Sequence, residues 1–356
     1  MTADRIAHKN AVDAWVAEKI LSKLTEYSRT DYLPLRELIA SLQQQNLLTT
    51  GWPAPYGDGD IRKQLYLHYA VAKQPIGGLG LTLVSHLDIG ARGLLEKGSE
   101  ALQATWLPGA LKGETIFSLA MTEPNAGSDL QGIEFTAEQV DGGWKLNGIK
   151  RGITNLPFAD VSIVLARTRP ERTPFSYTLF FVPLNTAGIT RESTIPSLGY
   201  SGCLGGFEAN DVIIPAENVL GAPGAGLMQL MAHLQTERLF VSARMKGLSD
   251  YLYQQLSVDN LRQYPELDYQ RQAYHAFFET CVDNYIEKNL SARDSASLKF
   301  LGSQLLQTLT TRIQQDNALE DFFADQALEQ CHHEAMGLAL AGGSKEIMLS
   351  IIASTL

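Results

Sequence analysis

The sequence predicts an α+β protein whose chain runs helical, then β, then helical again. Two changes in hydrophobic periodicity predict it, one near Thr115 and one after Gly221. From Ala3 to about Gly113, apolar residues recur every three or four positions, as in Leu35, Leu38, Ile39 and Leu42 and later Leu94, Leu95, Leu102 and Trp106. Such spacing lines one face of a helix. Gly51-Trp52-Pro53, Pro75-Ile76-Gly77-Gly78 and Pro108-Gly109 divide this part into several helices.

Short β-type runs follow: Ile116 to Met121, Phe135 to Val140, Val161 to Arg167, Tyr177 to Val182 and Phe207 to Ile214. Asp141-Gly142-Gly143 separates Val140 from Trp144-Lys145-Leu146-Asn147, which predicts a hairpin. After Gly226, Leu227, Leu230, Met231 and Leu234, and later Leu301, Leu305, Leu306, Leu309 and Ile313, restore the helical spacing. The expected units are residues 1–114, 115–222 and 223–356, with no internal repeat.

With 356 residues, 45% hydrophobic and 19% charged, the chain can bury more than one core, which excludes a disordered or fibrous protein. Its net charge of −10, from 29 basic and 39 acidic residues, argues against a nucleic-acid partner. No run approaches the ~18 apolar residues that cross a bilayer, so no membrane insertion is expected. Asp4, Asp13 and Glu18 interrupt the N-terminal segment, unlike a signal or transit peptide. Cys203, Cys281 and Cys331 are too few and too scattered for a disulfide framework, and a cytoplasmic location is expected. No metal is expected: Cys331, His332, His333 and Glu334 are adjacent on a helix and point in different directions.

The stretch Met121-Thr122-Glu123-Pro124-Asn125-Ala126-Gly127-Ser128-Asp129 ends a strand with small residues and hydroxyls, which leave main-chain N–H groups open to a flat or anionic ligand. An ordinary Ser/Asp turn explains this stretch equally well on its own. Further on come Trp144 to Lys150, then Ile153-Thr154-Asn155 and Ala159-Asp160, and finally Phe207 to Val212 leading into Pro215 to Gly221. Upstream stand Leu107-Pro108 and Gly113-Glu114. In this order and spacing the segments resemble the acyl-CoA dehydrogenase family over roughly residues 30 to 350.

The resemblance implies a helical N-terminal domain, a middle β-barrel domain and a C-terminal helical bundle, with FAD between the last two. It implies that Thr154 reaches the flavin N5 region and that Leu119, Met121, Thr122, Gly127, Ser128, Gly152, Ile153, Ser344 and Glu346 form the cofactor site. Ser128, Arg238, Gly342 and Gly343 are implied at the substrate. The implied substrate is an acyl thioester of CoA or a carrier protein, with an electron-accepting flavoprotein as possible partner and a homodimer or homotetramer as the assembly.

Family members carry the α-proton base in one of two places. The commoner, before a Gly-Thr-Ser-Glu-like turn, is Gly342 here, ahead of Gly343-Ser344-Lys345-Glu346. The other, as in isovaleryl-CoA and long-chain type enzymes, lies on the first helix after the β domain, where this chain has Thr236-Glu237-Arg238. Glu237 is therefore the expected base, and glycine at 342 keeps a second carboxylate away from it. Without the resemblance, Glu237-Arg238 reads as a surface ion pair.

Four departures accompany the likeness. Gly152 replaces an aromatic residue; Arg262 and Gln272 stand for the Arg and Gln that reach a neighbouring subunit's FAD; no Gln-x-x-Gly-Gly-x-Gly-Tyr segment lies between Phe300 and His333; and His333-Glu334-Ala335-Met336 replaces Arg-Asp-Ala-Arg. They leave two alternatives to the dehydrogenase: a flavin-dependent oxygenase or N-oxidising enzyme on the same fold, and a non-catalytic paralogue.

Overall fold

A computed structural model describes residues 2–24, 34–76, 78–192, 203–256, 258–316 and 325–355. Helices α1 (Ala3–Lys19), α2 (Leu35–Gln44) and α3 (Ile61–Ala72) open the chain. Thr2 and Asp60 cap α1 and α3 by accepting main-chain N–H groups of the first turn. The apolar stripe expected on α2 is real: Leu35, Leu38, Ile39 and Leu42 are all buried, each worth roughly 1.5–3 kcal/mol. Next, α4 (Leu79–Val84) passes through a π-helical segment, Ser85–Ala91, into α5 (Arg92–Lys97), and α6 (Glu100–Leu111) completes the helical part.

The middle part is one sheet. Its strands are β1 (Phe117–Ala120), β2 (Thr136–Val140), β3 (Gly143–Thr154), β4 (Val161–Arg167), β5 (Tyr177–Pro183), β6 (Ile189–Arg191), β7 (Leu204–Pro215) and β8 (Val219–Leu220). The hairpin expected at Asp141-Gly142 joins β2 to β3, with Val140 opposite Gly143 and Gly142 in the left-handed region at φ +77°. The order is β6-β7-β3-β2-β4-β5-β8, with β1 parallel to β4. This corrects the expected barrel. The edge strands β6 and β8 are three and two residues long and do not pair with each other among the described residues, so the sheet stays open.

Helix α7 (Gly226–Gln254) leads the last part, followed by α8 (Val258–Gln263), α9 (Glu266–Ile286), α10 (Ala292–Asp316), α11 (Gln326–Leu338) and α12 (Lys345–Ala353). No described helix is long and apolar enough to cross a membrane. Two apolar cores divide the molecule. The first unites the N-terminal helices, the sheet and the start of α7 as far as Leu234; the second takes α7 from Leu239 onward together with α9, α10 and α11. Glu237 sits where α7 passes from one core to the other.

Candidate active site

The sheet contributes a wall whose shape depends on one buried ion pair. Lys150 Nζ, fully buried on β3, donates to Glu123 Oε1 at 2.8 Å and to the Met121 carbonyl at 2.9 Å. Glu123 in turn accepts the main-chain N–H groups of Glu134 and Phe135, at 2.6 and 3.1 Å. Burial pushes the Lys150 ammonium down to about 8, with Glu123 opposing that shift. Arg151 N–H donates to the Thr122 carbonyl at 3.0 Å, which lays Met121 and Thr122 alongside β3.

At the end of β3 the pairing with β7 shifts register between Arg151 and Ile153, and Gly152 lies there at φ +74°. A bulge with a left-handed glycine re-aims the strand. Beyond it, Thr154 is half-buried, whereas the Ile153 side chain is in the core and leaves only its main chain to a ligand. Asn155, at φ +70°, donates to the carbonyls of Thr82 and Phe117 at 2.9 and 3.1 Å, fixing the wall to α4 and β1.

The opposite side comes from α7 and the turn before α12. Glu237 is 7% exposed, and its Oε2 has no hydrogen-bond partner among the described residues. Burial raises its carboxyl to about 7, against the pull of the neighbouring Arg238 and Lys299 charges. Arg238 Nε donates to the Gly342 carbonyl at 3.2 Å. Lys299, buried on α10, donates to the carbonyls of Ala339 (2.6 Å) and Gly343, so two cations grip the turn. Burial and the like charge of Arg238 bring Lys299 down to about 8. Gly342 is at φ +71°, and a methyl there meets only Val241 Cγ2 at 3.6 Å and Arg238 Cγ at 3.8 Å.

The two sides meet through a small apolar cluster. Thr154 pairs with Leu204 across β3 and β7. Leu204 and Phe158 pack with Leu81 of α4, Cys203 and Ala341, and Ala341 adjoins Gly342. Helix α7, α4 and the sheet thus converge on one seam. The wall fits a flat cofactor: a methyl at Gly152 has only Thr122 Cγ2 within reach, at 4.0 Å, and one at Gly127 has nothing within 4 Å, so among the described residues no protein atom covers these positions.

The other expected site residues lie as follows. Leu119 is half-buried and touches both cores. Gly127 and Ser128 are exposed on the loop after Glu123. Gly343 and Ser344 belong to the gripped turn, where Ser344 caps α12, and Glu346 is exposed in its first turn. Arg262 pairs with Asp259 at 3.5 Å and Gln272 donates to Asp268 at 2.5 Å. Both are exposed and their contacts are local, so the chain does not bring them to its own wall. Part of the missing glycine-rich segment, residues 317–324, lies outside the described residues.

The sequence alone does not single out Lys150, Lys299 and Arg244 as buried cations: Lys150 precedes Arg151, Arg244 stands two residues before Lys246, and nothing local distinguishes any of the three from a solvated cation. Nor does it single out His68, whose Nε2 lies 2.6 Å from Asp88 Oδ2 in the π-helical segment, both side chains fully buried. A cavity of about 1000 Å³ lies away from the seam, between α1, α3, α7 and α9; of its lining groups, Tyr69 donates to Asp250, Lys246 to Glu279, and Asp250 also accepts from Arg271 outside the lining.

Models of the acyl-CoA dehydrogenase N-terminal and middle domains match residues 2–114 and 118–212. The chain belongs to the acyl-CoA dehydrogenase family. The mitochondrial isovaleryl-CoA dehydrogenase of Solanum tuberosum is 32% identical over 67% of this chain and 59% of its own length, so the match spans about three fifths of that relative. Among solved structures, an FAD complex of PigA superposes with a TM-score of 0.89 at 20% identity, over 100% of this chain and 98% of that one. The prolyl acyl carrier protein oxidase AnaB gives 0.88 at 20% identity, over 100% and 99%. These structures share the fold of this acyl-CoA dehydrogenase family member.

Proposed function

We propose that this chain is an FAD-dependent dehydrogenase of acyl thioesters in which Glu237 removes the α-proton. One observation carries the reading: a buried carboxylate, with an oxygen unpartnered among the described residues and a pKa raised to about 7, stands on α7 next to Arg238, which holds the turn adjoining the seam cluster. A general base is most effective when its pKa is near the working pH. When bound, FAD supplies the oxidant for the hydride that leaves the β-carbon.

The chain's own residues do the rest. Leu119, Met121, Thr122, Gly152 and Thr154 hold the ring, with the main chain of Ile153, while Gly127 and Ser128 offer open main chain to the phosphates or the thioester. The apolar cluster of Leu81, Phe158 and Leu204, which reaches Ala341 next to Gly342, would exclude water from the reacting carbons. Glu237 Oε2 receives the α-proton. Arg238 and Lys299 hold the turn that carries Gly342 and Gly343 and keep the ionised base within reach of neutral pH. Arg262 and Gln272, exposed on the outer helices, suit contacts with a neighbouring subunit. The thiol carrier is CoA or a carrier protein, and the electrons pass to a flavoprotein acceptor.

The deciding experiment is anaerobic reduction of the FAD-loaded protein by isovaleryl-CoA and other acyl thioesters. The wild type should bleach, while Glu237→Gln should bind flavin with a normal spectrum and fail to bleach. Full bleaching of that variant sinks the assignment.

A further inference from the structure

The face of α7 that carries Glu237 continues through Val241 and Arg244, at spacings of four and three residues that stack on one side of a helix. Val241 faces Gly342, and the next position, Arg244, lies against α4: its Nε is 2.6 Å from where a Cβ on Gly80 would be. Gly80 immediately precedes Leu81 of the cluster that joins the two sides of the site. A glycine is needed at 80 because the guanidinium occupies the side-chain volume.

Arg244 is fully buried, and only one of its nitrogens is used, in an ion pair with Glu334 of α11. Its Nε and Nη1 have no partner among the described residues. Buried donors of a charged group without acceptors are costly to fold. Seven residues of helix span about 10 Å, and a helical side chain leans back toward the N-terminus, so the guanidinium comes within a short acyl chain of the base.

We propose that Arg244 closes the acyl end of the site and selects thioesters whose acyl chain carries a neutral oxygen acceptor, a hydroxyl or carbonyl, at its far end. This rests on the reading of Glu237 as base, since the α-carbon must sit beside it. The acceptor is neutral because Glu334 already balances the guanidinium, and a ligand carboxylate would set a second buried anion against the same cation.

The test compares kcat/KM of the FAD-loaded protein for valeryl-CoA, ω-hydroxyvaleryl-CoA and glutaryl-CoA with an artificial electron acceptor. The hydroxylated chain should be preferred over valeryl-CoA by roughly tenfold or more, the range of a hydrogen bond to a charged group. In the double substitution Arg244→Met with Glu334→Leu, which removes both buried charges together, that ratio should fall to near one. Circular dichroism and bound-flavin absorbance report whether this variant is folded. Equal use of valeryl and hydroxyvaleryl chains by the wild type, a preference for glutaryl-CoA over both, or a preference that survives in the folded double variant each overturns the inference while leaving the base assignment standing. If none of the three bleaches the flavin, the dehydrogenase reading falls and this inference with it.

Discussion

Arg238 Nε donates to the carbonyl of Gly342 across 3.2 Å, joining the residue beside Glu237 to the glycine at the alternative family position for a base. The side chain that Gly342 lacks leaves space bounded by Val241 and Arg238. Among the described residues, the Glu237 carboxylate therefore has its environment set by burial and the two cations Arg238 and Lys299 rather than by a second acid.

The pH dependence follows from that environment. Glu237 must be ionised to take a proton, so kcat/KM should climb with pH through about 7 and level off above it. Its effect on stability has the opposite slope: a carboxyl raised above its unfolded value stabilises fully below pH 4.5, and that contribution is lost as pH rises through about 7. The difference is on the order of 3 kcal/mol. Glu237→Gln should lower the rate about 10²–10⁴-fold, remove the rising limb and narrow the gap in melting temperature between acid and neutral pH. A limb near pH 7 that persists in the variant assigns it to another group.

Lys299 acts on the base without contacting it through a hydrogen bond. Replacing it by Met deletes a charge that favours ionised Glu237 and leaves the Ala339 and Gly343 carbonyls without their donor. The rising limb should move up by roughly one pH unit, with a stability loss of about 1–3 kcal/mol from the unsatisfied carbonyls. A purely structural lysine would lower the melting temperature and leave the limb in place, and that result refutes the coupling.

Lys150→Met tests the wall. Glu123 would keep its two main-chain donors but lose its buried counter-ion, and the Met121 carbonyl would lose its lysine. Removing one partner of a buried pair costs about 3–5 kcal/mol. The loop carrying Met121, Thr122 and Ser128 should loosen, so FAD affinity measured by fluorescence titration should fall more than the rate at saturating flavin. Unchanged affinity in a folded variant would separate this ion pair from the cofactor site.

Helices such as α2 and the hairpin at Asp141-Gly142 were legible because their signals are local: an apolar residue every third or fourth position, or a turn glycine between two strands. The motif around Thr122 and the segment ending at Thr154 were legible through family likeness, and the structure lays them side by side. Lys150, Lys299 and Arg244 were not, because a buried cation is defined by acceptors far along the chain, Glu123, Ala339 and Glu334, that no periodicity connects to it. The open edges of the sheet were equally hidden, since closure depends on whether β6 and β8 pair.

Gly152 shows why a departure from a family pattern needs backbone as well as side-chain reasoning. Space alone would admit a larger residue there, because a Cβ meets nothing nearer than Thr122 Cγ2 at 4.0 Å. The backbone opposes it: φ is +74° at a point where β3 slips against β7, and left-handed geometry costs a residue with a Cβ roughly 1–2 kcal/mol. Gly152→Ala should therefore destabilise by about that amount without any clash. Gly152→Trp, which puts an aromatic ring at the position the family usually gives one, should pay the same backbone penalty and lower rather than raise FAD affinity, because the bulge aims the side chain differently from a regular strand. Tighter flavin binding by the tryptophan variant at unchanged melting temperature would show that the bulge relaxes to accept the ring.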